Sequence, residues 1–332
     1  MRTPNRLWHA LGIATFFSVL LALPSAALAA ETQAEIVTFP GDSGRALGGL
    51  LYTPQGPGPF PALIYNHGSA PGRLNDQAFE QLGPLFVNHG WVFFAPYRRG
   101  QGLSAESGRY ILEQLSTEQR RHARHVLPIA IAALIGLIIA TLVILRRRWA
   151  WLRVSAATVL AVLGLGTFQV LSTSARASAM VHLIESEQLQ DHLAAYEWLK
   201  KQPFIDTKRI ATAGNSFGGI VTVLAAERVP YCAAIDAAGG AESWYLAPAL
   251  RTRMKDAVRA AKAPILFFQA ENDYTTAPTR TLSAQMQAVG KPFERRIYRT
   301  FGQTAAEGHA FAWRGSEIWG ADVLRFLSQH CR

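Results

Sequence analysis

The chain has 332 residues, of which 49% are hydrophobic and 17% charged, with a formal net charge of +10. That much hydrophobicity excludes a disordered chain. Its 27 glycines without a fixed period and its 2 cysteines exclude collagen-like and disulfide-dense scaffolds. The charged fraction falls below the roughly one quarter of an ordinary soluble domain, so the question is where the apolar excess sits.

Part of it sits at the start. Arg2 and Arg6 form a positive n-region, Leu11 to Leu23 is an apolar run ended by Pro24, and Ala27-Leu28-Ala29 supplies an A-x-A cleavage pattern. Residues 1–30 are therefore expected to be a signal peptide, with an uncleaved anchor as the alternative. Both place the next part of the chain outside the cytoplasm.

Residues 31–120 read as the first part of an α/β domain. Pro61 to Asn66 (PALIYN) and Trp91 to Pro96 (WVFFAP) have the continuous apolar character of buried strands. The Pro/Gly stretch Pro54 to Pro61 reads as a turn, and Asp76 to His89 as a helix.

The middle of the chain, 121–180, holds the rest of the excess. Val126 to Leu145 is twenty residues without a charge, enough at about 1.5 Å per residue to span about 30 Å. Val154 to Leu171 is a second uncharged run, and Arg146 to Arg153 (RRRWAWLR) between them carries Trp149 and Trp151 at the places of interfacial anchors. A helix in a soluble core keeps a polar stripe, and these runs have none. A transmembrane hairpin with spans 126–145 and 154–171 is expected, anchored in the lipid bilayer. The arginine loop then lies on the cytoplasmic side, which puts the protein in the inner membrane with its folded domain on the periplasmic side. Part of the positive charge is thus topological. No interleaved basic and aromatic run points to nucleic acid.

The second part of the domain, 181–332, again alternates. Ser186 to Lys201, Phe217 to Arg228, Pro278 to Val289 and Glu317 to Gln329 read as helices, and Arg209 to Ala213 and Pro264 to Gln269 (PILFFQ) as buried strands. Such alternation predicts a mostly parallel sheet flanked by helices.

The chemistry begins at Gly214-Asn215-Ser216-Phe217-Gly218, a G-x-S-x-G turn lying between a strand and a helix. Glycines suit a turn this tight, which lifts the serine hydroxyl clear of the sheet. A serine hydroxyl needs a base and an orienting acid. In chain order Ser, acid, His, these are Asp273 in the loop AENDYTT and His309 in AAEGHAFAW, just before the last helix. Glu271 and Asp236 compete for the acid role. The oxyanion donors are expected at the N–H of Phe217 and, from the loop Asn66-His67-Gly68-Ser69, the N–H of Ser69. His67 is read as ordering that loop, His182 and His192 as surface or packing residues, and His122 and His125 as juxtamembrane. No metal-ligand spacing and no cofactor motif is visible.

These residues carry a resemblance. YNHGS (Tyr65 to Ser69), APYRRGQGLS (Ala95 to Ser104), DTKRIATAGNSFGG (Asp206 to Gly219), PILFFQAEND and GHAFAW look like the α/β-hydrolase superfamily, within it the dienelactone hydrolase and prolyl-oligopeptidase-like branch. The resemblance covers roughly 35–110 and 180–332. It implies an eight-stranded, mostly parallel sheet, here interrupted by the hairpin, and hydrolysis through an acyl-enzyme. Dienelactone hydrolases proper use a cysteine nucleophile where this chain has Ser216, which favours esters or amides in general, with carboxylic esters or thioesters expected first. A peptidase is the alternative, and a catalytically silent membrane-anchored binding module is the alternative of another class. The hairpin leaves the domain on the same edge as Ser216, so either the site accepts amphiphilic acyl substrates near the outer leaflet or the hairpin is only a tether. Cys232 and Cys331 both fall at the amino edge of the sheet. Two buried thiols are favoured over a bridge.

Overall fold

The computed structural model describes residues 33–69, 73–144, 159, 162, 166 and 178–332. The expected signal peptide lies outside the described residues. Eight strands form one sheet in the order β1-β2-β4-β3-β5-β6-β7-β8. They are β1 (Glu35–Pro40), β2 (Ala46–Tyr52), β3 (Phe60–Asn66), β4 (Val92–Pro96), β5 (Ile205–Asn215), β6 (Ala234–Ala237), β7 (Ile265–Ala270) and β8 (Phe293–Tyr298). β2 runs antiparallel to both its neighbours, and from β4 to β8 the pairing is parallel. Parallel neighbours need long crossovers, and helices supply them: α1 (Arg73–Val87), α2 (Ile111–Ile144), α3 (Leu189–Leu199), α4 (Phe217–Arg228), α5 (Pro248–Ala260) and α6 (Ala277–Ala288); α7 (Ala305–Arg314) and α8 (Ser316–His330) follow the last strand.

The two-residue period of the strands sorts the core into two layers. Ala62, Ile64, Val92 and Phe94 face one side with Ile220, Leu224, Met254 and Leu282 from α4, α5 and α6. Leu63, Tyr65, Phe93 and Ala95 face the other with Phe79, Phe86, Phe311 and Phe326 from α1, α7 and α8. Because both faces are covered, β4 and β7 are buried along their whole length, which is why they read as continuous apolar runs. α4 is buried from Phe217 to Ala226 and correspondingly lacks a polar stripe.

The stretch expected as a hairpin is different from that expectation. Among the described residues no helix is long and apolar enough to cross a membrane. Residues 126–144 continue a 34-residue helix, α2, whose first turns carry Glu113, Arg120, Arg121 and Arg124 and whose Ile111 and Leu115 are buried in the domain core. Ile131, Ile135 and Ile139 stand 47%, 51% and 55% exposed along it. Of the second expected span, 154–171, only Val159, Val162 and Gly166 are described.

The chain returns through the helical turn 178–183 and a π-helical turn (Ile184–Gln188) into α3. A buried ion pair fastens this return. Arg99, just past β4, donates from Nε to Asp191 Oδ1 and Oδ2 at 3.1 and 3.0 Å and from a terminal nitrogen to Oδ1 at 2.6 Å, while its backbone N–H reaches Oδ2 at 2.9 Å. At the opposite, amino edge, Cys232 and Cys331 form a disulfide with Cα atoms 5.0 Å apart. This corrects the expectation of two thiols. Sequence separation hides the fact that the start of β6 and the end of α8 meet.

Candidate active site

β5 lies in the middle of the sheet, paired with β3 and β6, so its carboxyl end opens between their loops. There the chain turns from strand to helix within one residue. Ser216 has φ 55° and ψ −119°, a left-handed φ that costs a non-glycine residue on the order of 1–3 kcal/mol. The flanking positions 214 and 218 must be glycine: a Cβ on Gly218 would meet the Asn66 carbonyl oxygen at 1.9 Å, and one on Gly214 would meet that of Gly218 at 2.4 Å. The Ser216 N–H donates to the Ala237 carbonyl at 3.0 Å. Phe217 opens α4, and a first-turn N–H has no acceptor within its own helix.

Asp273 follows β7, its side chain fully enclosed. Its Oδ2 accepts from Gln269 Nε2 at 3.1 Å, and its Oδ1 accepts from the Tyr274 N–H at 2.7 Å and meets His309 Nδ1 at 2.8 Å. A carboxylate at Nδ1 fixes the proton there and leaves Nε2 with its lone pair free. His309 Nε2 is buried and hydrogen-bonded to no described group. His309 precedes the last helix, as expected, and itself sits inside α7, whose start is fixed by a capping box between Thr304 and Glu307.

Two cavities meet at Ser216. One of about 930 Å³ is lined by Ser69, Ser216, Tyr274, His309 and Trp313 among others. The other, of about 400 Å³, is lined by Ser69, Ser216, Phe217, Ile220 and Leu115 among others. Ser69 and Phe217 thus both border the cavity at the serine, as an oxyanion pair requires. The competing acids are elsewhere. Glu271 is exposed, its N–H donating to the Tyr298 carbonyl. Asp236 is buried behind the turn, accepting from the Gly239 N–H at 2.8 Å, and burial pushes its carboxyl up to about 7. His192 is buried against the Tyr231 hydroxyl at 2.8 Å and held neutral by burial, its pKa down to about 3. His182 is exposed.

Arg98 is a site residue that the sequence does not single out. It is buried, and its guanidinium donates to the carbonyls of His67 and Gly68 at 2.7 and 2.9 Å. Its carbon lies 4.9 Å from the centre of the Phe217 ring. It therefore grips both segments that carry the expected oxyanion donors. Burial lowers its pKa to about 9, so it stays charged at neutral pH. Desolvation, joined by the charge of Arg98, holds His67 well below its usual range. His67 Nδ1 lies 2.8 Å from the Gly68 carbonyl, which is the ordering role expected of it. The one trace of Arg98 in the sequence is a pair of arginines directly after a buried strand. Tyr65 and Asn66 brace the same loop, through Asn215 Oδ1 at 3.0 Å and Thr222 Oγ1 at 2.8 Å.

Residues 159–323 match the Dienelactone hydrolase family. No curated protein sequence matches the chain. Among solved structures, an esterase of Pyrococcus furiosus is similar at 13% identity and TM-score 0.56, over 91% of this chain and 92% of that one. A puromycin-hydrolyzing peptidase of Mycobacterium tuberculosis matches at 16% identity and TM-score 0.55, over 90% of this chain and 39% of its own. Pyrococcus horikoshii acylaminoacyl peptidase matches at 15% identity and TM-score 0.53, over 90% and 42%. At these identities the likeness speaks for the fold, and the family match supports a hydrolase. The chain has the α/β-hydrolase fold, and its residues 159–323 are similar to the dienelactone hydrolases.

Proposed function

We propose that the chain is a serine hydrolase of carboxylic esters or thioesters, working through an acyl-enzyme. The observation that carries this reading is the convergence of Ser216, at a strained strand–helix turn, with a His309 whose Nδ1 is held by Asp273 and whose Nε2 is unpartnered, on one cavity. Ser216 Oγ attacks the carbonyl carbon as its proton passes to His309 Nε2. The carbonyl electron pair moves to oxygen, where the N–H groups of Ser69 and Phe217 receive it. When that pair returns, the bond to the leaving oxygen or sulfur breaks and His309 gives its proton to the departing group. Water then repeats the sequence on the acyl-enzyme, which restores Ser216. Asp273 orients the imidazole and stabilises its positive charge. Each oxyanion donor contributes about 2.7–4 kcal/mol in such sites.

The reading extends to location. The uncharged run from Val126, the exposed Ile131, Ile135 and Ile139 spaced four residues apart on α2, and the basic Arg146–Arg148 support attachment to a lipid bilayer through 126–171. The Cys232–Cys331 bridge supports an oxidising, periplasmic compartment for the folded domain.

One experiment tests both parts. A membrane-impermeant fluorophosphonate applied to spheroplasts is expected to label the chain, the label to sediment with membranes, and Ser216→Ala to abolish it. Absence of label on detergent-solubilised, folded protein would establish a silent binding module instead. Label that appears only after lysis would place the domain in the cytoplasm.

A further inference from the structure

We propose that the two cavities at Ser216 divide the substrate: an aliphatic acyl chain fills the 400 Å³ cavity, and a neutral or cationic alcohol leaves through the 930 Å³ cavity. This rests on the serine-hydrolase reading above. The tetrahedral carbon carries four groups: Ser216 Oγ, the oxyanion, the leaving oxygen and the acyl carbon. The leaving oxygen must receive its proton from His309, and of the two cavities only the larger is lined by His309. The oxyanion points to the N–H groups of Ser69 and Phe217. The acyl carbon is left facing the smaller cavity, which is bordered by those same residues.

The lining of that cavity fits an aliphatic chain. Leu115, Ile220 and Ala247 are buried around it, and Leu112, Met180 and Leu246 also line it. Its one ionisable side chain among the described residues is Glu242, which also lines the larger cavity. The volume of about 400 Å³ lies within the range of small-ligand pockets, about 300–1,000 Å³. Leu112 and Leu115 come from the first turns of α2, and Met180 from the helical turn 178–183, so the chain leading into the stretch 121–180 and the end of that stretch both line the acyl site. The insertion is then part of the substrate pocket as well as the proposed membrane attachment.

The larger cavity has the opposite character. Glu80, Glu242 and Glu307 line it against a single arginine among the described residues, Arg314. That field repels phosphate-bearing leaving groups such as coenzyme A, and it narrows the substrate to oxygen esters of uncharged or cationic alcohols.

The test uses the full chain in detergent with two ester series, one varying the acyl chain over a fixed nitrophenol and one varying the alcohol over a fixed acetate. In the acyl series kcat/KM is expected to rise roughly fourfold per methylene until the cavity is full. Met180→Trp and, separately, Leu246→Trp are expected to lower the octanoate-to-acetate ratio at least tenfold, mainly through KM. Gln81→Trp, in the larger cavity, is expected to shift the alcohol series and not that ratio. Fluorophosphonate labelling of every variant reports whether the serine site is folded and reactive. Labelled variants in which Gln81→Trp moves the acyl ratio, or in which neither Met180→Trp nor Leu246→Trp does, would overturn the division while leaving the serine reading intact. A folded wild type that takes no label would end both.

Discussion

The two edges of the sheet are held together in different ways. At the carboxyl edge Ser216 and Ala238 have left-handed φ angles of 55° and 59°, and His309 Nε2 and Arg98 Nε are buried without partners among the described residues. At the amino edge the Cys232–Cys331 bond joins the start of β6 to the end of α8 across 99 residues of sequence. Strain and unmet hydrogen bonding are present at the candidate site, though not there alone, since Ser43 also has a left-handed φ and Gln188 and His192 Nδ1 are buried without partners among the described residues. The covalent reinforcement lies at the other edge. Positions of the first kind are stable only because their surroundings over-determine them. The carboxyl edge therefore depends on the rigidity that the rest of the domain provides.

The sharpest way to break this contrast is at Asp273. Asp273→Asn is expected to lower kcat by about 10⁴-fold, by leaving His309 in the wrong tautomer; steady-state hydrolysis of a short-chain ester measures it. A loss under tenfold would move the orienting carboxylate elsewhere. The amino edge should behave in the converse way. Replacing both Cys232 and Cys331 by serine is expected to cost about 2–5 kcal/mol of stability in urea denaturation and to leave kcat at low temperature within about twofold of wild type. A large fall in kcat of the folded double variant would show that the two edges are coupled.

Asp236 lies between these extremes, at the carboxyl edge yet touching no reacting group. Its folded pKa of about 7 lies above the ordinary carboxyl value of 3.8. Its contribution to stability is therefore complete below the ordinary value and is lost as pH rises through about 7. Between pH 6 and 8 the loss is on the order of 1 kcal/mol. Asp236→Asn is expected to flatten the fall of Tm over that range, and an equally steep fall in the variant would assign the titration to another group.

How far the sequence reveals this arrangement varies element by element. The continuous apolar runs of β3, β4 and β7 are legible because both faces of the sheet are covered. The Ser216 turn is legible because close backbone approach leaves glycine as the one residue that fits at 214 and 218. β5 starts at Ile205, which pairs with Phe60, and an irregular stretch with the polar Asp206, Thr207 and Lys208 separates it from the register that resumes at Ile210 opposite Ala62. α5, absent from the helices read above, carries its buried Leu250, Met254, Ala257 and Val258 at the i, i+4, i+7, i+8 spacing of an amphipathic helix, so its signal is present in the sequence. α7 escapes pattern reading because Gly308 interrupts its periodicity. That glycine is present for a packing reason: a Cβ there would lie 2.7 Å from Asn272, the residue before the aspartate that His309 must meet. Arg98 and the disulfide are hidden for a common reason. Each joins positions far apart in the chain, and only the folded sheet brings them together.

The buried pair of Arg99 and Asp191 has a consequence for how such a chain could arise and be re-engineered. It fixes the exit of β4 to α3, so the domain itself locks both ends of the stretch that runs from Arg99 to Asp191. Next to those points the chain is still part of the domain, with Ile111, Leu115 and Ile184 in its core. A redesigned segment would have to keep those core residues and return an aspartate to the place where Arg99 is waiting for it.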